Sequence, residues 1–240
     1  MDRVSLCIPR FDAIMGGGLP KHSLAILAGG PGVGKTIMAL QLLFLSARKG
    51  VRSLYFSTLM DPKGRLLGFY KDMTFFSEEM VDNGVFFVDF SKKIREGNLL
   101  PLLSEMTKHI QDYRAELLIV DSFKAVSDIA LGRPELWTFA NELRSQLVEA
   151  GCTGILVGDY GLPGDISNPE FAVADAILSL EVQRAWNSVI RLFRVYKLRG
   201  SGFSDGYQAY EITNEGIKPI VADATARADS QETEASRHPR

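Results

Sequence analysis

The sequence is poor in cysteine and has no excess of either charge. Two cysteines, Cys7 and Cys152, are too few among 240 residues for a disulfide framework, so we expect a reducing compartment. Lysine and arginine number 27 against 29 acidic residues. A protein that holds nucleic acid through its phosphates usually carries a clear basic excess. The composition therefore argues against nucleic acid as a partner.

Long apolar runs are also missing. No stretch approaches the roughly 20 apolar residues of a membrane-spanning helix, and the N-terminal sequence MDRVSLCIPRFDAI has no apolar segment typical of a secretory signal. We therefore expect a cytoplasmic protein with no membrane partner. The 46% of hydrophobic and 23% of charged residues are typical of a globular domain.

Segments typical of strands and of helices alternate through most of the chain. The predicted strands cover residues 23–28, 51–56, 84–90, 116–120 and 154–157, and the helices 37–48, 99–114 and 134–150, with a helix start at Asp61-Pro62. Strands separated by helices form right-handed βαβ units. The sequence therefore predicts an α/β fold with a mainly parallel, twisted sheet flanked by helices.

The last third of the chain has a different pattern. Four strand-like segments at 175–181, 188–198, 208–213 and 217–221 follow one another without a long helix between them. This pattern predicts an antiparallel extension of the same sheet. We expect one domain over residues 1–222, and a disordered tail over the polar residues 223–240.

A glycine-rich segment at 29–36 matches the pattern G-x-x-x-x-G-K-[ST] between a predicted strand and a predicted helix. Its glycines let backbone N–H groups wrap around phosphate, and the helix that follows directs its positive end at the anion. Lys35 would reach the outer phosphates of ATP, and the Thr36 hydroxyl would bind Mg²⁺. The predicted nucleotide-binding residues are Gly29, Gly30, Pro31, Gly32, Val33, Gly34, Lys35 and Thr36.

Asp121 follows the apolar run 117–120, at the predicted carboxyl end of a parallel strand. Ligands of open α/β sheets bind at such ends. We predict that Asp121 is the second metal residue, beside Thr36. Apolar runs that end in aspartate are common, and a helix cap or a turn is the alternative interpretation.

Several motifs together resemble the KaiC family, the RecA-like ATPase group that contains the circadian-clock protein KaiC and the RadA-type recombinases. They are IPRFD at 8–12, GGGLP at 16–20, the glycine-rich segment, VDS at 120–122, ADAIL at 174–178 and KLRG at 197–200. The resemblance covers about residues 4–221, one KaiC-type domain. It implies a RecA-like fold and rings or filaments with ATP bound between subunits.

The resemblance also implies that Lys197 and Arg199 reach the γ-phosphate held by a neighbouring subunit. Strand periodicity would direct both side chains to one face, with Arg191 further along it. The predicted catalytic residues are then Lys35, Asp121, Lys197 and Arg199. An ordinary solvated strand face is the alternative.

The sequence departs from the family where the attacking water should be activated. Family members usually carry two adjacent glutamates after the second strand, and Leu59 and Met60 occupy those positions. Neither side chain can accept a proton. Asp61 and Asp159, which matches a sensor-side position of the family, are weaker candidates for the base. Phe203 replaces a frequent family histidine.

These observations favour an ATP-binding regulatory or signalling protein with slow or absent hydrolysis. One alternative is a recombinase-type ATPase or mediator on DNA, although the segment 161–165 has no lysine or arginine for DNA contact. Another is a nucleotide-dependent assembly module without chemistry. In addition to self-association we expect a protein partner, which the sequence does not identify.

Overall fold

The computed structural model describes residues 2–58, 63–185 and 188–221. The predicted helix start at Asp61-Pro62 and the tail predicted over 223–240 lie outside these ranges. Among the described residues, no helix is long and apolar enough to cross a membrane.

A nine-stranded sheet forms the centre of the described chain. Its strands run in the order β11-β10-β9-β8-β3-β7-β6-β4-β5, and a separate two-stranded sheet pairs β1 with β2. The strands are β1 (Arg3–Val4), β2 (Leu19–Pro20), β3 (Leu24–Gly29), β4 (Ser53–Ser57), β5 (Val85–Asp89), β6 (Leu117–Asp121), β7 (Thr153–Asp159), β8 (Ala176–Ala185), β9 (Ser188–Leu198), β10 (Gln208–Thr213) and β11 (Gly216–Pro219).

Strand β3 lies at the middle of the sheet, between β7 and β8. All six of its residues are buried, as expected of a parallel strand covered on both faces. Strand β8 pairs with β3 in parallel, whereas β9, β10 and β11 are antiparallel. The antiparallel extension therefore starts one strand later than the sequence predicts. The polypeptide crosses over through 160–175, which holds only a short helix and turns, before β8 begins.

Helices cover both faces of the sheet. They are α1 (Pro9–Ile14), α2 (Lys35–Ala47), α3 (Lys63–Tyr70), α4 (Ser91–Glu96), α5 (Leu99–Tyr113), α6 (Phe123–Asp128), α7 (Arg133–Ala150) and α8 (Pro169–Val173). Alternate residues of β3 join two separate hydrophobic clusters. Ala25 and Leu27 pack with α2, while Leu24, Ile26 and Ala28 pack on the face covered by α5 to α8. This packing fixes α2 on one face, and α5 to α8 on the other, relative to the carboxyl end of β3.

Candidate nucleotide-binding site

The glycine-rich segment connects the carboxyl end of β3 directly to the first turn of α2. Gly34 lies just before the helix with a φ of +100°. A side chain at Gly34 would be strained, and its Cβ would lie 2.8 Å from Ile212 Cδ1. The segment therefore needs glycine at this position. The unpaired N–H groups of the first turn of α2 face the place where phosphate would bind.

The Lys35 ammonium is held inside this loop. Its Nζ donates hydrogen bonds to the carbonyl oxygens of Gly29 (2.9 Å) and Gly30 (2.8 Å), and it forms an ion pair with Asp159 Oδ1 at 2.6 Å. The Lys35 side chain is 10% exposed and that of Asp159 is 56% exposed. Asp159 ends β7, the strand beside β3. An anion that binds Lys35 must therefore compete with the Asp159 carboxylate.

Asp121 lies beside Thr36, as the sequence predicts. The Thr36 hydroxyl donates to Asp121 Oδ2 at 2.8 Å, and the buried Tyr55 hydroxyl donates to the same oxygen at 2.9 Å. Burial raises the pKa of Asp121, whereas the hydrogen bonds from Thr36 and Tyr55 act in the opposite direction. Two donors from separate elements, α2 and β4, thus fix the orientation of this carboxylate.

These residues fit a magnesium ion. The Thr36 hydroxyl and the Asp121 carboxylate are hard oxygen donors, the kind that Mg²⁺ prefers, and they are in direct contact beside the phosphate loop. Mg²⁺ held by these two residues would supply positive charge that reduces the charge of the bound phosphates. The residues of the chain would bind and orient the phosphates from the loop side.

A cavity of about 350 Å³ opens in front of the loop. Its lining includes Lys35, Thr36, Asp121 and Asp159, and three residues that the sequence did not indicate, Ile37, Tyr70 and Ile212. The volume is within the range of small-ligand sites. No local sequence motif marks Tyr55 or Ile212 as a site residue, because strand pairing brings each of them to the site from a distant part of the chain.

Lys197 and Arg199 lie together at the end of the strands opposite the phosphate loop. Lys197 Nζ donates to the carbonyl oxygens of Phe171 (3.1 Å) and Ala172 (3.3 Å), and Arg199 donates to Ala172 O at 3.0 Å and to Asp175 Oδ1 at 3.3 Å. These carbonyls belong to the carboxyl end of α8, where cations are favourable. Burial, together with Arg199, lowers the pKa of Lys197.

Arg191 does not share a face with Lys197, so this expectation is wrong. The register of β8 and β9 shifts between Ile177, which pairs with Lys197, and Leu178, which pairs with Val195. The extra residue reverses the alternation of side chains. Arg191 consequently lies on the α2 face near the phosphate loop, where it lines a cleft with Gly29 to Val33, far from the Lys197 end of β9.

Two departures from the family pattern have different outcomes. Leu59, Met60 and Asp61 lie outside the described residues, so the replaced glutamates remain a prediction from the sequence. Phe203 is partly buried and packs against the hydrophobic cluster on the α2 face.

A phosphate loop between a central parallel strand and a buried helix, with a threonine–aspartate pair beside it, defines a P-loop nucleotide-binding α/β protein. A model of the KaiC ATPase family matches residues 4–224, and the chain belongs to this family. Membership establishes a P-loop ATP-binding protein of the RecA superfamily, and it implies nucleotide binding, generally with Mg²⁺. Proteins of this family commonly self-associate.

Individual relatives agree with this assignment. A UPF0273 protein of Pyrococcus furiosus is 28% identical over 234 residues, which cover 90% of this chain and 92% of that protein. A UPF0273 protein of Aeropyrum pernix is 29% identical over 245 residues, covering 90% and 93%. The crystal structure of a KaiC-like protein from Pyrococcus horikoshii superposes with a TM-score of 0.78 at 25% identity, covering 92% and 99%. The predicted RecA-like fold and the resemblance to KaiC are confirmed.

Proposed function

We propose that this protein binds Mg-ATP at the phosphate loop, uses it to link subunits head to tail, and hydrolyses it slowly or not at all. In this proposal it acts as a regulatory or signalling protein whose assembly depends on nucleotide. Membership of the KaiC ATPase family supports the ATP site. The assembly, the regulatory role and the slow turnover are the parts that require experiment.

The position of Lys197 and Arg199 carries the proposal. Leu198 pairs with Ala176, which pairs with Ala25 at the start of β3, whereas the phosphate loop begins at Gly29. Four residues of strand separate the two levels, about 13 Å before the length of the loop is added. The two cations therefore lie well away from the nucleotide site of their own subunit, and a neighbouring subunit is the partner that could use them.

A head-to-tail contact follows from this arrangement. The cations lie at one end of the strands and the nucleotide site lies at the other end. The two surfaces that meet between neighbouring subunits are therefore different. Contacts of this heterologous kind generate closed rings or open filaments. The alternative role for Lys197 and Arg199 is within the chain, since both already bind carbonyl groups of α8.

Measurement of mass by light scattering, with and without Mg-ATP, tests the assembly. The wild-type mass should rise with Mg-ATP because nucleotide that bridges two subunits favours the oligomer by mass action. The double variant Lys197→Ala/Arg199→Ala should remain monomeric. Arg194→Ala, which removes a cation from the same strand but away from this end, is the matched control and should assemble like the wild type.

The outcomes separate the two roles of the cations. A wild-type protein that stays monomeric with ATP bound would contradict the assembly proposal. A double variant that assembles normally but unfolds more easily would leave Lys197 and Arg199 as caps of α8.

The carboxylates that line the cavity in the described part of the chain support slow turnover. Asp121 is engaged by the hydroxyls of Thr36 and Tyr55, and Asp159 is paired with Lys35 until a phosphate displaces it, which leaves Asp159 as the one described cavity carboxylate that could replace the missing glutamates. Loss of a general base typically lowers a rate by about 10²–10⁴-fold. Phosphate release should be slow in the wild type and should increase when Leu59 or Met60 is replaced by glutamate. A wild-type rate of about 10 s⁻¹, typical of enzymes, would show that another base acts.

A further inference from the structure

A second cavity, open to solvent, lies at the end of the strands opposite the phosphate loop. Its volume is about 270 Å³. It is bounded by the segment around β1, the end of α2 and the start of β6, and its lining residues include Arg3, Cys7, Lys21, His22 and Lys49. None of these residues belongs to the nucleotide site described above. The cavity therefore needs an explanation of its own.

Positive charge dominates the lining, and two of the cations have neutral partners. Arg3 donates to Gly18 O at 3.1 Å and to the Ser201 hydroxyl, while Lys49 Nζ lies 3.5 Å from Cys7 Sγ. Neither contact neutralises a charge. A bound anion would form charge-assisted hydrogen bonds with Arg3 and Lys49, and such bonds are stronger than their present hydrogen bonds to neutral groups.

Within the lining itself, the three cations Arg3, Lys21 and Lys49 outnumber the single acid, Glu116. Lys21 is 3.6 Å from Asp2, and His22 adds an imidazole ring to the lining. Glu116 is the acidic residue of the lining, and its Oε1 accepts the backbone N–H of Arg52 at 3.3 Å. Asp12 is buried behind the lining: burial raises the pKa of its carboxyl, and the charge of Lys49 acts in the opposite direction, so Lys49 already interacts with one carboxylate outside the cavity.

The backbone of the lining is held in an unusual conformation at two positions. Cys7 has a φ of 60° and His22 a φ of 56°, in the left-handed region that favours glycine. Each N–H is held by a hydroxyl at 2.9 Å: that of Cys7 donates to Ser5 Oγ in the same segment, and that of His22 donates to Thr153 Oγ1 from a distant part of the chain. Strained positions that persist in this way cluster at ligand-binding sites.

We propose that this cavity binds a small phosphate monoester. A dianionic phosphate matches the two cations Arg3 and Lys49, which line the same cavity together with Lys21 and His22. The apolar side chains of Val4, Val51 and Leu117 line the remaining wall and would contact the organic group of the ester. The cavity is smaller than the nucleotide cavity, which favours a compact ester over a nucleoside triphosphate.

Calorimetry with phenyl phosphate tests the proposal on the 240-residue chain. Saturating Mg-ADP is kept present so that the phosphate loop is filled. Phenyl phosphate should bind, and benzyl alcohol, which has the ring without the phosphate, should not. Lys49→Met should weaken binding about tenfold, the effect of one charge-assisted hydrogen bond. Lys108→Met removes an exposed cation from α5, on the other face of the sheet, and should leave the affinity unchanged.

Alkylation of Cys7 by N-ethylmaleimide locates the ligand. Cys152 is fully buried, and burial raises the pKa of its thiol to about 12, so it is the unreactive cysteine. Phenyl phosphate should slow the modification of Cys7 in the wild type, and at the same concentration it should slow it much less in Lys49→Met. The ratio of rates with and without ligand is compared within each variant, because Lys49 also affects the thiol itself.

Three results would overturn the proposal. They are the absence of binding to the ADP-saturated wild type, equal affinities for the wild type and Lys49→Met, and binding that leaves the alkylation rate of Cys7 unchanged.

Discussion

Replacement of Asp159 by asparagine removes the carboxylate that holds the Lys35 ammonium in the phosphate loop. In the wild type this ion pair, at 2.6 Å, adds to the two carbonyl contacts of the same ammonium. Incoming phosphate must displace Asp159 from Lys35 and then lie close to its negative charge. We therefore expect Asp159→Asn to bind ATP more tightly than the wild type.

The exposure of Asp159 limits the size of this effect. Its side chain is 56% exposed, so water and salt screen the charge, and exposed ion pairs contribute about 0.2–1 kcal/mol. The repulsion between Asp159 and a bound phosphate adds a contribution of similar size, reduced in the same way. A total of about 1 kcal/mol corresponds to an affinity about fivefold higher in the variant.

Isothermal titration calorimetry with Mg-ATP at two salt concentrations measures the effect. The gain should decrease at high salt because the interaction is partly screened. Asp165→Asn, which removes a carboxylate from the loop after β7 without touching the cavity lining, should bind as the wild type does. Weaker binding by Asp159→Asn would refute the reasoning and would mean that Asp159 supports the nucleotide.

Three further changes test other parts of the site and the fold. Lys35→Ala should weaken Mg-ATP binding at least tenfold, because Lys35 is the side-chain cation of the loop; equal affinity in calorimetry would remove the nucleotide proposal. Tyr55→Phe should raise the Mg²⁺ concentration needed for half-maximal ATP binding about tenfold, since Asp121 loses one of its two orienting donors, whereas an unchanged Mg²⁺ titration would show that Thr36 alone orients it. Asp175→Asn should cost about 1–3 kcal/mol in urea unfolding at pH 7. Burial opposes the ionisation of Asp175, but the hydrogen bonds from Arg144 and other donors outweigh it and lower the pKa of Asp175. The carboxylate therefore stabilises the fold above its unfolded pKa of about 4. The difference in unfolding free energy between variant and wild type should shrink as the pH falls through the lowered pKa. A difference that stays constant at acid pH would contradict this assignment.

The parts of the site that the sequence predicts are those encoded locally. The phosphate loop and its helix form one continuous segment, and Asp121 ends an apolar run whose burial follows from its composition. The strands and helices that the sequence predicts lie within a few residues of the observed bounds for the same reason, whereas the short elements α1, α4, α6, α8, β1 and β2 were not predicted. Each of these features depends on neighbours along the chain.

The parts that the sequence did not predict depend on pairing between distant segments. Tyr55 reaches Asp121 because β4 lies beside β6, and no motif marks that contact. Arg191 was expected to share a face with Lys197, but one extra residue in β9 changes the face, and strand periodicity alone does not reveal such a residue. The parallel pairing of β8 also depends on which side of β3 is left unpaired after β7 has taken the other side. That is a property of the assembled sheet and not of the local sequence.

Strand β3 is in direct contact with both surfaces that the assembly proposal requires. Its first residue, Leu24, donates its N–H to Asp175 Oδ2 at 3.1 Å, and Asp175 also binds Arg199, while its last residue, Gly29, begins the phosphate loop. A fully buried strand neither stretches nor bends easily. If subunits join head to tail, the spacing between successive ATP molecules is therefore set by a rigid element of fixed length, and the same repeat distance should appear along the whole assembly whatever number of subunits it contains.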